Sequence, residues 1–164
     1  MNMAALEARL TRLEDIDAIH QLKAHYFFCC DQKDPEGMRA CFADGEVSID
    51  YGSIGVFQDR DQLVAVFERL GCHAHIVDIH HGVNPQITIL DDGHARGSWG
   101  LHFQQIDTLK KTVTQLAAYY EDEYRKIDGE WKISKTRCNV TSTLVTAITD
   151  GAANIIFAGR TLAN

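Results

Sequence analysis

Proline is nearly missing from this chain: Pro35 and Pro85 are the only two in 164 residues. No proline-rich linker therefore divides it, and long regular elements meet few obligatory breaks. No apolar run approaches the roughly 20 residues of a membrane-spanning helix. The stretch from Met1 to Leu10 carries Glu7 and Arg9 where a secretory signal would hold its apolar segment. These absences predict a cytoplasmic protein with no membrane association. Positive charge is sparse too. The net charge is -7, and adjacent basic residues come at most in pairs such as Lys110-Lys111. That leaves no concentrated footprint for counterion release, so nucleic acid is excluded as a partner. The five cysteines (Cys29, Cys30, Cys41, Cys72 and Cys138) are odd in number and lack a CxxC pair. They read as reduced, mostly buried thiols rather than a disulfide framework or zinc knuckle. There is no Gly-rich phosphate loop and no HExxH motif, so neither a cofactor nor a metal is expected.

What is present is an ordinary globular composition, 45% hydrophobic and 24% charged. At this length one domain spanning 1–164 can bury a core without staples. Thr11 followed by Glu14 has the spacing of a capping box, and Ile16, Ile19, Tyr26, Phe27 and Cys30 follow at helical intervals. The pattern predicts a long helix over about 12–31. Before it, Leu6, Leu10 and Leu13 form an apolar stripe suited to a separate helix laid over a neighbour or a partner subunit. Asp34-Pro35 predicts an N-cap with proline in the first turn of a short second helix carrying Met38, Cys41 and Phe42. Val47, Ile49 and Tyr51 alternate as a strand. Asp59 with Gln62 predicts the start of a third helix burying Leu63, Val66, Phe67 and Leu70.

Everything after Gly71 reads as sheet: 73–90, 94–109, 112–127 and 131–149, with turns at Asp92-Gly93 and Asp128-Gly129. Helices first and an antiparallel meander afterwards is an α+β order. Strands of this length coil, so the expectation is a cone-shaped curled sheet, closed by three N-terminal helices around a small-molecule pocket. Trp99 and Trp131 are expected to be buried. A second sheet face bearing Val, Leu and Thr needs cover, which predicts a homo-oligomer.

The residues that can carry chemistry are few. Asp31 falls at the end of the long helix, where the helix dipole disfavours a carboxylate and calls for a compensating partner. In the first long strand Asp78, His80 and Gly82 share one face, while Val77, Ile79, His81 and Val83 share the other, so periodicity alone does not choose between the two histidines. Tyr26 reads equally as core or as a hydroxyl donor to a ligand. His73 and His75 make an HxH pair on one strand face without a third ligand at convincing spacing. His102 falls opposite Trp99, Leu101 and Phe103.

Three stretches, 22–31 (LKAHYFFCCD), 79–89 (IHHGVNPQITI) and 124–133 (YRKIDGEWKI), resemble the SnoaL-like domain family of the nuclear-transport-factor-2-like superfamily. The resemblance runs from about Leu13 to Thr143. Among characterised members it resembles bile-acid 7α-dehydratase and hexachlorocyclohexane dehydrochlorinase, with scytalone dehydratase more distant. It implies that His80 is a general base, that Asp31 orients it, and that Tyr26 matches a tyrosine of the bile-acid enzyme. Similar dehydratases are trimers, and many other members are dimers. Two departures stand against this. Phe103 occupies the place of a further acidic residue, and Val140 that of an arginine; the dehydrochlorinase arginine falls nearest Thr136, beside Arg137. The resemblance thus implies a cofactor-independent lyase or isomerase acting on a hydrophobic cyclic small molecule. The alternatives are a non-catalytic small subunit like the β subunit of aromatic-ring-hydroxylating dioxygenases, and a small-molecule-binding protein.

Overall fold

The computed structural model describes residues 2–159; Met1 and residues 160–164 of the expected single domain lie outside the described residues. The chain opens with one helix, α1, Met3–Gln32, rather than the two expected. Asn2 is the true N-cap, its side chain accepting from the Ala5 amide at 2.9 Å. Thr11 and Glu14 are exposed mid-helix residues, because Ala4, Ala5 and Ala8 are strong helix formers and nothing before Thr11 breaks the helix. The helix stops where Lys33 turns left-handed (φ 59) and donates back to the carbonyls of Cys29 and Cys30. Asp34 then caps α2, Pro35–Ala40, by accepting from Gly37 N, as the Asp-Pro signal indicates. Asp59 caps α3, Arg60–Leu70, by accepting from Asp61 N. Helix α3 buries Leu63 and Val64 and leaves Leu70 exposed, a rotation from the face expected.

The short strands β1, Ser48–Asp50, and β2, Val56–Phe57, precede α3. Four long strands follow it: β3 Ile76–Ile89, β4 His94–Asp107, β5 Thr112–Ile127 and β6 Glu130–Ala147. The sheet order is β2-β1-β6-β5-β4-β3. It is curled but not closed, with β2 and β3 as its two edges, so it is an open cone rather than a sealed barrel. It is also mixed: β1 runs parallel to β6, while all other pairings are antiparallel. His73 and His75 precede β3 instead of sharing its face, with rings stacked at 5.3 Å.

Alternation assigns each side chain to a face. Trp99 and Leu101 of β4, Tyr120, Asp122 and Tyr124 of β5, and Trp131 and Ile133 of β6 point inward and are buried. They meet Ile19, Tyr26 and Phe27 of α1 in one continuous core. Helix α1 lies against β3 and β6. Its middle is tied down by Asp15, which accepts from Trp131 Nε1 at 2.8 Å and Lys126 Nζ at 2.7 Å. Two sequence features thus fix the helix over the hollow of the sheet: the helical stripe through Ile19, Tyr26 and Cys30, and a carboxylate that meets the sheet's last hairpin. Among the described residues no helix is long and apolar enough to cross a membrane.

Candidate active site

The C-terminal end of α1 and the middle of β3 meet through Asp31 and His80. Asp31 Oδ1 lies 2.6 Å from His80 Nδ1 and also accepts the His80 backbone amide, at 3.1 Å. A carboxylate only accepts, so Nδ1 carries the proton that points at Asp31, and in the neutral ring the lone pair is then on Nε2. The amide contact fixes the strand to the helix, and the imidazole contact fixes the tautomer. Both side chains are largely but not fully sheltered, at 16% and 17% exposure, and both line the same groove. Phe27 stacks on the imidazole (5.7 Å between centroids, 12° between planes), and Phe103 packs on it at 4.7 Å. Two residues along, Lys33 pairs with Asp78, which also accepts from Gln105 Nε2 at 2.9 Å. This pins the same end of the helix to the same face of β3.

The dyad opens into a groove of about 660 Å³ that runs between α1 and the free edge of β3. Ala24, Phe27, Phe28 and Asp31 form its helix wall, and His80, Gly82 and Trp99 its inner sheet wall. Ile79, His81, Val83 and His102 form its outer rim. The lining is mostly apolar with a single oriented base, which suits a hydrophobic ligand that loses a proton. His81 projects to the outer face as parity requires, and His102 sits directly across from it on β4.

Tyr26 does not share this groove. Its hydroxyl is 2.7 Å from that of Tyr51, and its ring packs between Phe27 and Phe42. Burial drives its ionisation well above the ordinary range, and that of Tyr51 likewise. The expectation that it faces the same hollow as His80 is corrected: one turn before Asp31, the helix phase turns it under Phe27 and into the core. Val140 is exposed and Phe103 lies on His80, so neither brings a charged group to the dyad. Thr136 is buried against Asp122, and Arg137 points outward to Asp50.

Sequence reading missed Lys23. It is completely buried, with Nζ 2.8 Å from Asp122, itself completely buried. Asp122 further accepts from Thr136 Oγ1 at 2.6 Å and Tyr124 OH at 2.8 Å, and the Tyr124 oxygen accepts from Trp99 Nε1 at 2.9 Å. Among the described residues the ammonium has no hydrogen-bonding partner beyond this ionic contact, and it rests against the rings of Tyr120, Tyr26 and Phe27. The signal was present in the helical phase: Lys23 follows Ile19 by four and precedes Cys30 by seven, on the buried stripe.

The SnoaL-like domain model matches residues 11–137, most of the chain and every element that builds the site up to the middle of β6. The chain belongs to the SnoaL-like domain family. Solved SnoaL-like neighbours share its architecture. A scytalone dehydratase candidate from Novosphingobium aromaticivorans is 24% identical with a TM-score of 0.75, over 92% of this chain and 98% of that one. A hexachlorocyclohexane dehydrochlorinase is 19% identical with a TM-score of 0.78, over 89% and 96%. An aromatic ring hydroxylase candidate from N. aromaticivorans is 17% identical with a TM-score of 0.73, over 82% and 94%. At these identities the SnoaL-like likeness to solved structures is one of fold.

Proposed function

We propose that this SnoaL-like protein is a cofactor-independent lyase or isomerase that removes a proton from a hydrophobic cyclic small molecule. The observation that carries this reading is the 2.6 Å contact between Asp31 and His80 Nδ1, which leaves Nε2 as a base at the floor of an apolar groove. Nε2 takes a proton from a carbon beside a carbonyl or leaving group. The C–H electron pair then forms a new double bond, either to expel the leaving group or to give an enolate that is reprotonated elsewhere. Asp31 stabilises the imidazolium formed, and a base held this way contributes about 10²–10⁴-fold. Phe27 and Phe103 keep water off the imidazole faces. Tyr26 supports Phe27 from behind rather than touching the ligand.

Proton abstraction is readable without knowing the natural substrate. Cyclic ketones such as tetralones and steroid enones are incubated in D2O, and wash-in of deuterium beside the carbonyl is followed by mass spectrometry. Exchange should fall about 10²–10⁴-fold in His80→Gln, fall strongly in Asp31→Asn, and persist in His94→Gln, a change at the exposed first residue of β4. Undiminished exchange in His80→Gln refutes the reading. The second reading, a non-catalytic small subunit or binding protein, draws support from Phe103 and Val140, which leave the dyad without further charged help. It is also in keeping with the fold of the ring hydroxylase candidate. It requires no exchange at all, together with co-purification of a large iron-sulfur partner or of an unchanged ligand.

A further inference from the structure

The buried Lys23–Asp122 pair reaches the groove from two sides. On the inner sheet wall, the Trp99 indole donates from Nε1 to the Tyr124 hydroxyl at 2.9 Å, and that hydroxyl donates to Asp122 at 2.8 Å. A phenol has one proton, so with that proton turned to the carboxylate only a lone pair faces Trp99, and an indole N–H only donates. The chain therefore has one direction, from Trp99 to the charge. A flipped indole would leave its N–H without this acceptor in the core, where an unmatched donor is costly. Trp99 is also met by His20 of α1, in a T-shaped contact with 5.6 Å between centroids. On the helix wall the Lys23 ammonium lies 5.2 Å from the centroid of Phe27, the ring that stacks on His80. One ion pair thus stands behind an aromatic plate on each wall.

We propose that Trp99 is the specificity-determining residue of the His80 groove, the plate on which the far end of the ligand rests, and that Tyr124, Asp122 and Lys23 are positioning residues that act through it. The groove runs from His80 across Gly82, where Phe27 occupies the space a side chain would fill, to Trp99. Phe103 faces His80 across the β3–β4 ladder. Trp99 stands four residues away from Phe103 on the same face of β4, about 14 Å along the strand. A two-ring ligand whose reacting carbon meets His80 Nε2 leaves Trp99 uncovered, whereas an extended polycycle covers it. The fixed indole therefore favours long ring systems over short ones.

An apolar cluster of the same volume is commonly as stable as a buried ion pair, so what these charges add is direction. Packing alone accepts an indole in either of two broad orientations about its outer torsion, and the hydrogen bond to Tyr124 selects one. The inference rests on the proposed proton abstraction for where the reacting carbon lies; the part of Trp99 in binding stands without turnover.

Deuterium wash-in by the full chain, measured for the two-ring ketone β-tetralone and the four-ring ketone progesterone, gives kcat and KM for each. Tyr124→Phe keeps the ring but removes the acceptor of the indole proton. It should lower kcat/KM for progesterone about tenfold more than for β-tetralone, through KM, as expected for one lost hydrogen bond. Trp99→Phe should shift the preference the same way, and Tyr124→Phe/Trp99→Phe should lose no more of it than Trp99→Phe alone, because Tyr124 acts through the indole. Val64→Ala, a buried change in α3 away from the groove, controls for lost stability and should keep the wild-type preference. Equilibrium dialysis of both ketones against the His80→Gln chain reads the same preference without turnover: adding Tyr124→Phe should weaken progesterone binding about tenfold. If dialysis shows that loss while the wild type exchanges neither ketone, the proton-abstraction reading fails and the role of Trp99 stands. Equal losses for the two ketones, additive losses in the double variant, or no binding of progesterone to the wild type overturn the proposal.

Discussion

Removing one charge of the Lys23–Asp122 pair should cost far more than removing both. Both side chains are completely buried, and each partner is specialised. The carboxylate pairs ionically with the ammonium and accepts from the Thr136 and Tyr124 hydroxyls; among the described residues the ammonium has only that ionic contact and the faces of aromatic rings. Lys23→Met strands Asp122 as an uncompensated anion with two neutral donors left, and Asp122→Asn strands the ammonium. Breaking a buried pair from one side costs about 3–5 kcal/mol. For a domain of this size that lowers the melting temperature by roughly 6–20 °C, at about 2–4 °C per kcal/mol. In Lys23→Met/Asp122→Asn no buried charge remains. The methionine fills the lysine channel, and the amide can still accept from Thr136. The double variant should therefore lose less than the sum of the singles by at least about 2 kcal/mol, a coupling of the kind expected for groups in direct contact. Urea unfolding at one protein concentration, followed by tryptophan fluorescence because Trp99 is wired into the network, gives all four corners of the cycle. Additive losses, or a single variant costing below about 1 kcal/mol, would refute the idea that the two groups are stabilised by each other.

Two further outcomes follow from burial and close packing. Burial raises the ionisation of Tyr26, Tyr51, Tyr120 and Tyr124 well above the usual value of 10. The unfolded chain therefore releases these protons first: their neutral state supports the fold fully below about pH 10, and that support is lost as pH rises beyond it. Absorbance at 295 nm should show these four titrating only together with alkaline unfolding, and four reversible phenolates in a folded chain would contradict it. Gly82→Ala would place a Cβ 2.3 Å from Phe27 Cε2. The displaced ring should cost about 1–3 kcal/mol of stability and shift the His80 imidazole proton resonances, and Phe27→Leu in the same chain should recover part of the stability. An unperturbed His80 spectrum in Gly82→Ala would show that the stack is not rigid.

How far the sequence could be read depended on whether a signal was local. Asp34-Pro35 and Asp59 cap their helices because a cap needs only the next three residues. Thr11 and Glu14 misled because a capping box acts only where the helix has to begin, and the alanines before it let α1 start at Asn2 instead. The β3 parity separated His80 from His81 onto opposite faces, but resemblance was needed to say which face was inside. Asp31 was legible as a carboxylate in need of a partner. The pairing of Lys23 with Asp122 was not, since nothing in either segment names the other. Each side was nonetheless marked: Lys23 keeps phase with a buried helical stripe, and Asp122 stands between the two inward tyrosines Tyr120 and Tyr124. Charges in phase with apolar positions are the trace of a buried pair. Tyr26 shows the limit of analogy, as a matching residue type whose helix phase takes it away from the groove.

An unclosed sheet leaves β3, 14 residues long, as a free edge whose outer backbone groups meet no neighbouring strand, the kind of template on which chains polymerise strand to strand. Here the edge is broken from within. The register with β4 slips between Val83 and Gln86, Asn84 turns left-handed at φ 52, and Pro85 presents no amide hydrogen. An incoming strand would lose its ladder two-thirds of the way along. One of the chain's two prolines thus guards the free edge of an unclosed sheet against strand-to-strand fibril growth.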